Sequence, residues 1–489
     1  MRHSKMSKAA LISSAVGAGM LAVLATGGAA SAVPGPANDL GFTPITTNAL
    51  PCSATGLPQF ANDKHGNTTT PTVLMQAGDS ATPVNAPATS NAVGHENDMI
   101  AVSPDGRYLF TPSEATVSDG ITRLTLKGPD AGKKEILADK STAPPWSRVD
   151  GMKWYGSGGP SGVLLASEEF AEGGIWQIDP QTGDFARLDW LGNFSHEGVG
   201  LDDAGNLYLG DENRTGAIYR AVPNDVHDLT QGGTLSYLVG TGIDPTGWKV
   251  VTDPTNAINE ANNGGAILFD RPEDFDNRNG VVYFAVTEPK SDSDTRHGNY
   301  NGTPAGGAGP LNQVVNQGGV YALTTGGVPN LAAQSGPLPG YDKLAPMITV
   351  QDPKYASQNE AKAQQGLQFP DNLAFDGRGN LWVHEDIPDG STFPANGTDV
   401  GKQARDQQDE LYAYVLGKDG TTVVPNPDAT GPGVSGGYKA ADMRTSSGAA
   451  TANLPCDNEF TGGVFGQDGQ TLYINQQHAE NPTLTVRIG

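Results

Sequence analysis

The sequence predicts an all-β fold, a six-bladed β-propeller with an N-terminal arm and long loop insertions. Three observations lead there. The first is a unit, read most easily in NFSHEGVGLDDAGNLYLGDENRTGAIYR from Asn193 to Arg220: a polar turn, a short strand centred on Tyr208, an acidic tip at Asp211-Glu212-Asn213, and a return strand from Gly216. Gly, Asn and Asp supply turn conformations, while aromatic and β-branched residues suit the pleated surface between them. The second is that this unit recurs. The third is composition: of 489 residues only 37% are hydrophobic, with 65 Gly and 35 Pro, which fits many short strands and turns rather than helices. A seven-bladed propeller and a double β-sandwich are the competing architectures.

The chain begins with a segment that is not part of the fold. Arg2, Lys5 and Lys8 form a basic start, Ala9 to Leu24 an apolar run, and Ala30-Ser31-Ala32 a small-residue cleavage site, so residues 1–32 read as a secretory signal peptide. A secreted, extracellular protein is the expectation. No later stretch is apolar enough to span a membrane. Residues 33–93, rich in Pro, Thr, Asn and Ala, read as an arm packed on the propeller of residues 94–489. The only cysteines, Cys52 and Cys456, both follow Leu-Pro, and in an oxidising compartment a disulfide between them is expected, the alternative being that one thiolate is a metal ligand.

The repeats follow in order. RYLFTPSEAT ends at Glu114 and returns at Ile121, and VLLASEEF ends at Glu168-Glu169 and returns at Gly173. The Asn193 unit is third. VVYFAVTEP ends at Glu288 and returns at Gly318, NLWVHED ends at Glu385-Asp386 and returns at Glu410, and TLYINQQH is followed by LTVRI. Turns of one type, SPDGR, DDAGN, DNRNG, DGRGN and GQDGQ, recur ahead of strands, which is the periodic signature of a propeller.

Where the acids fall points to function. Equivalent strand ends of a propeller share one rim, so Glu114, Glu168, Glu169, Asp211, Glu212, Glu288, Glu385 and Asp386 converge there. Asp98, Glu197, Glu273, Asp371 and Glu459 stand just ahead of strands. So many carboxylates in a funnel repel one another unless cations neutralise them, and oxygen ligands suit hard ions, calcium first. The net charge of −24 makes nucleic acid an improbable partner. There is no Gly-x-Ser-x-Gly elbow, no His-Glu-x-x-His, no Cys-x-x-Cys and no phosphate-cradling Gly-Lys-Ser/Thr loop.

The succession GGIWQIDPQTG, GNFSHEGVGLDD, YLGDENRTGAIYRAVP, FDRPEDFD, FPDNLAFDGRGNLWV and EFTGGVFGQDGQTLYINQQH resembles the PhoX-type alkaline phosphatases, in order, across most of the propeller. The resemblance implies a funnel holding calcium and ferric iron that hydrolyses small-molecule phosphate monoesters, in a protein expected to be monomeric. It implies that Arg271, in Arg271-Pro272-Glu273, and Asn372, in Pro370-Asp371-Asn372, hold the phosphate. The metal ligands it brings forward are Asp98, Glu114, Glu168, Glu169, Glu273 and Glu459, to which the placement of acids around the strands adds Glu197 and Asp386. The chain departs from the family in lacking any cysteine between Cys52 and Cys456, in carrying Asp274 where Gly is usual, and in having no twin-arginine signal. These departures bear on iron more than on the fold or calcium. A calcium-stabilised binding propeller and a calcium-only propeller esterase or lactonase are the alternative functions.

Overall fold

The computed structural model describes residues 40–45, 57–84, 92–94, 96–114, 120–137, 147–156, 162–213, 215–287, 318–324, 343–349, 367, 370–386, 410–424, 426, 437–442, 459–477 and 483–488. Six blades, antiparallel except where Thr82–Pro83 joins the first in parallel, account for nearly all of them. Their innermost strands are Ala101–Val102, Val149–Tyr155, Val199–Leu201, Pro272–Arg278, Pro370–Phe375 and Glu459–Phe465. Each innermost strand packs on the next, and the sixth packs on the first, so the ring closes around an axis. Six blades are therefore what the six sequence units encode. The strand with the acidic tip is the second of its blade, and the recurrent turn joins it to the innermost strand.

That turn explains its own sequence. In the third blade, Asp202 Oδ1 accepts hydrogen bonds from the backbone N–H groups of Ala204 and Asn206, both at 2.9 Å, while Oδ2 accepts from Asn206 Nδ2 at 2.8 Å and Tyr208 OH at 3.2 Å. In the fifth blade Asp376 does the same for Arg378 and Asn380, both at 2.9 Å, for Asn380 Nδ2 at 2.7 Å and for Trp382 Nε1 at 3.2 Å. Gly205 and Gly379 carry φ of 83° and 93°, where a side chain is disfavoured. One carboxylate thus satisfies the turn and fixes the aromatic at the head of the second strand.

The blades are held together by apolar faces between them. Phe269, Phe275, Phe284 and Tyr321 form one buried group joining the third and fourth blades, and Phe284 stacks on both Phe275 and Tyr321 at 5.4 Å. The segment read as an arm takes part directly. Thr72–Met75 forms the outermost strand of the sixth blade, pairing with Thr483–Arg487, and Gln59–Phe60 extends the edge of the fifth. Residues near the N-terminus therefore complete a sheet whose other strands come from the C-terminus. Cys52 and Cys456, like the signal-peptide segment, lie outside the described residues.

Met75, only 1% exposed, anchors this closing strand. Met75→Ala should lower unfolding stability by about 2–4 kcal/mol, the usual cost of truncating a buried Met. Urea denaturation checks this, and a loss below about 1 kcal/mol would show that the strand does not hold the ring.

Candidate functional site

The site is built by a repeated irregularity. In the second, fourth and fifth blades the innermost strand opens with a paired residue, Val149 opposite Glu168, Pro272 opposite Val286 and Pro370 opposite Glu385, and the register then shifts. Such a bulge re-aims the side chains it contains. The residues in it are Asp150-Gly151, Glu273-Asp274 and Asp371-Asn372. Asp98 and Glu197-Gly198 stand at the corresponding entry of the first and third blades. Five blades thus each bring a buried acid, Asp98, Asp150, Glu197, Glu273 and Asp371, to the head of the innermost strand.

Glycine is required beside two of them. A Cβ on Gly151 would lie 1.9 Å from the Glu197 carbonyl oxygen, and one on Gly198 would lie 2.2 Å from Asp274 Oδ1. Asp274 in turn accepts from the N–H groups of Phe275 at 2.6 Å and Leu373 at 2.9 Å, tying the fourth blade to the fifth. This is the work done by the residue that stands where the family usually has glycine.

A second tier comes from the strand ends. The backbone N–H groups of Glu114, Glu169, Glu212 and Thr287 donate to the carbonyls of Glu96, Arg148, Ser195 and Arg271, each two residues ahead of one of these five acids. The four blades therefore repeat one geometry, and Glu114, Glu169 and Glu212 occupy equivalent places. Three of the anchoring residues, Glu96, Arg148 and Arg271, hold φ of 51°, 47° and 55°. A left-handed non-glycine residue costs on the order of 1–3 kcal/mol, and such strain concentrates at functional sites.

The two tiers meet in two groups. Asp98, Glu114 and Asp150 each offer a carboxylate oxygen within 4.8 Å of the others, and so do Glu197, Glu212 and Glu273. The carboxyl groups also hydrogen-bond to one another: Asp98 with Asp150, Glu169 with Glu212, and Glu197 with both Glu273 and Asp371. Burial, reinforced by the neighbouring carboxylates, pushes Asp98, Asp150, Glu169, Glu197 and Asp371 well above the usual carboxylate range. Burial also lifts Glu273 to about 7, against the opposing pull of Arg271. Glu212 is the exception: burial pushes it up, but Arg271, the hydrogen bond with Glu169 and the nearby Arg148 together hold it low.

Two arginines reach into this acid field. Arg271 binds Glu212 Oε1 through Nε and Nη2, both at 2.8 Å, and Glu273 Oε1 at 3.1 Å. Arg148 Nη2 donates to Glu114 Oε1 at 2.7 Å and to Glu169. Thr287 Oγ1 donates to Glu273, and Gln477 Nε2 bridges Asp98 Oδ2 at 2.8 Å and Glu114 Oε2 at 2.7 Å. Asn372 is oriented by the Gly462 N–H, which donates to its Oδ1 at 2.6 Å. Its amide nitrogen then lies 3.4 Å from both Glu197 Oε1 and Asp371 Oδ1.

The structure thus brings together Arg271, Asn372, Asp98, Glu114, Glu169, Glu197 and Glu273. Glu168 stands apart, with Oε1 taken by the Ser147 N–H at 2.9 Å and Oε2 by the Gly174 N–H at 3.1 Å, so it serves the blade rather than the funnel. Asp386 follows the fifth blade's second strand, close enough to Asp371 to raise its pKa. Glu459 opens the sixth innermost strand opposite Gln477, and its side chain lies outside the described residues. Asp150, Glu212 and Asp371 were absent from the ligand set drawn from the sequence, although Glu212 and Asp371 were recognised as rim acids. The available signal for Asp150 was an acid before glycine ahead of a strand, as at Glu197-Gly198.

The donor set is wholly oxygen. Asp150 Oδ1 and Glu273 Oε2 are buried without a hydrogen-bond partner, which is costly for a carboxylate unless a cation completes it. The residues present therefore fit hard multivalent cations.

A search of curated proteins returned no significant match. Among solved structures, PhoX from Pseudomonas fluorescens in complex with vanadate, a transition state analogue, aligns with a TM-score of 0.57 at 16% identity, covering 92% of this chain and 98% of that one. A gluconolactonase from Xanthomonas campestris aligns with a TM-score of 0.42 at 12% identity over 91% of this chain and 100% of its own. The first likeness establishes the propeller fold. The sequence matches the family described as alkaline phosphatase PhoX over residues 150–480, most of the chain, with five of the six blades lying largely or wholly inside that span. The chain belongs to the PhoX alkaline phosphatase family.

Proposed function

We propose that the protein is a secreted, metal-dependent phosphatase that hydrolyses small phosphate monoesters in the propeller funnel, with calcium as the principal cation. The observation that carries this reading is the junction of two buried carboxylate triads with an arginine and an oriented amide. Asp98, Glu114 and Asp150 would hold one cation, and Glu197, Glu212 and Glu273 another. Ferric iron enters only through the family resemblance, since neither triad contains a thiolate or an imidazole. Bound cations would supply Lewis-acid polarisation of the phosphoryl oxygens and activation of water.

The chain's own groups do the rest. Arg271 offers a planar, permanently charged fork that matches two phosphate oxygens, and its strained backbone keeps it aimed at the triad beside it. With Glu212 and Glu273 engaged by a cation, that fork is available to an anion. Asn372 presents its NH2 to Glu197 and Asp371 while its carbonyl is fixed by Gly462. A donor held in place before reaction stabilises developing negative charge without reorganising.

One observation favours a second reading, a calcium-stabilised binding propeller: Arg271 is salt-bridged to Glu212 and Glu273, as an arginine kept for charge balance would be. Substitution separates the two. Under the phosphatase reading, Arg271→Ala should slow p-nitrophenyl phosphate hydrolysis about a hundredfold, roughly 3 kcal/mol, while retaining cation. Glu273→Ala should lose cation and activity together, which elemental analysis detects. An Arg271→Ala protein as fast as its parent makes the binding propeller the better reading.

The cation itself is tested by pH. Without it, Glu273 keeps its proton up to about 7 in the folded protein, whereas its ordinary value is 4.5. The folded state then binds more protons than the unfolded one, so stability falls as pH rises from about 4.5 to about 7. Melting temperature measured in chelator should decline across that interval. Calcium at roughly 100 times its dissociation constant should displace the protons, flatten the decline and add about 2.7 kcal/mol. Melting indifferent to both chelator and calcium would remove calcium from the account.

A further inference from the structure

Arg148 has the same setting as Arg271 but is not explained by the site described so far. Both stand two residues ahead of a bulge acid, both hold a left-handed backbone, and the carbonyls of both accept from the strand-end residue of their own blade. Both bridge two acids: Arg148 joins Glu114 to Glu169, and Arg271 joins Glu212 to Glu273. Because Glu169 and Glu212 are themselves hydrogen-bonded, the four groups form one chain, Arg148, Glu169, Glu212, Arg271. The two arginines differ in access. Arg271 is 18% exposed at its side chain and Arg148 is 40% exposed. Among the described residues only Nη2 of Arg148 is engaged, which leaves Nε and Nη1 as donors on an open edge.

We propose that Arg148 is a specificity residue at the mouth of the funnel, binding a second anionic group of the substrate while the scissile phosphate lies against Arg271. Two carboxyl groups separate the guanidinium ions, so the pair does not close on one phosphate. The anchored Nη2 holds the fork in position, and its free edge meets a carboxylate or phosphate through paired N–H donors. The preferred substrates are therefore phosphate monoesters that carry another anionic group, such as phosphorylated sugar acids or bisphosphates.

This proposal rests on the phosphatase reading, and its test distinguishes the two. The ratio of kcat/KM is measured for 3-phosphoglycerate over glycerol 3-phosphate, and for fructose 1,6-bisphosphate over fructose 6-phosphate, in the calcium-loaded parent and in Arg148→Gln and Arg148→Lys. The parent should favour the two-anion member of each pair, Arg148→Gln should reduce that ratio about tenfold, and Arg148→Lys should restore part of it. Reduction confined to one pair would identify carboxylate or phosphate as the group held. Equal ratios in parent and Arg148→Gln overturn the proposal, as does a parent with no such preference. A parent that hydrolyses none of the four overturns the phosphatase reading instead. The second anion is then read from melting: methylenediphosphonate should raise the parent's melting temperature more than methylphosphonate does, and an excess that survives in Arg148→Gln overturns the proposal.

Discussion

Taking carboxylates out of water beside one another is the constraint on which this structure turns. Each of the five acids would be unremarkable at a surface, but at the head of an innermost strand each loses hydration and faces the others at short range. Every neighbouring feature answers that problem. Neighbouring acids hydrogen-bond to one another, Arg148 joins Glu114 to Glu169 and Arg271 joins Glu212 to Glu273, and Gln477 and Thr287 donate to what remains. The compensation is incomplete, since Asp150 Oδ1 and Glu273 Oε2 have no donor. A fold that maintains such a deficit at its axis is shaped for a positive charge that arrives from outside the chain.

The rigidity needed for this is supplied at a distance from it. The Asp202 and Asp376 turns lock the second strands, and aromatic faces such as Phe269, Phe284 and Tyr321 fix one blade on the next. With the strands so held, the bulges can take up backbone conformations that an isolated segment would avoid. Local strain at Arg148 and Arg271 is thus supported by packing in which neither arginine takes part.

Much of this was legible in the sequence because it is written in turn chemistry. The Asp-x-x-Gly-Asn pattern announces a blade wherever it occurs, and the acid at the strand tip follows at nearly fixed spacing. Asp150 escaped because the second blade's first hairpin runs through GSGGPSG, with no Asp-Gly-Asn signal to set the register. The choice between Glu168 and Glu169 was not available from the sequence at all. Adjacent residues on a strand face opposite ways, and only the pairing of Val149 with Glu168 decides that Glu169 enters the funnel. The arm's strands were hidden for another reason: Thr72–Met75 is four residues long, and its partner lies at the far end of the chain.

That partnership shapes how the molecule reaches its final form. Val73 pairs with Leu484, so the strand that completes the last blade is among the first stretches made and its acceptor among the last. Contacts of such high sequence separation form late, because the loop they close must first lose its freedom. Until then the sixth blade has an open edge. An ion held among the acids at the axis would latch the finished circle from within, as the N-terminal strand latches it from without.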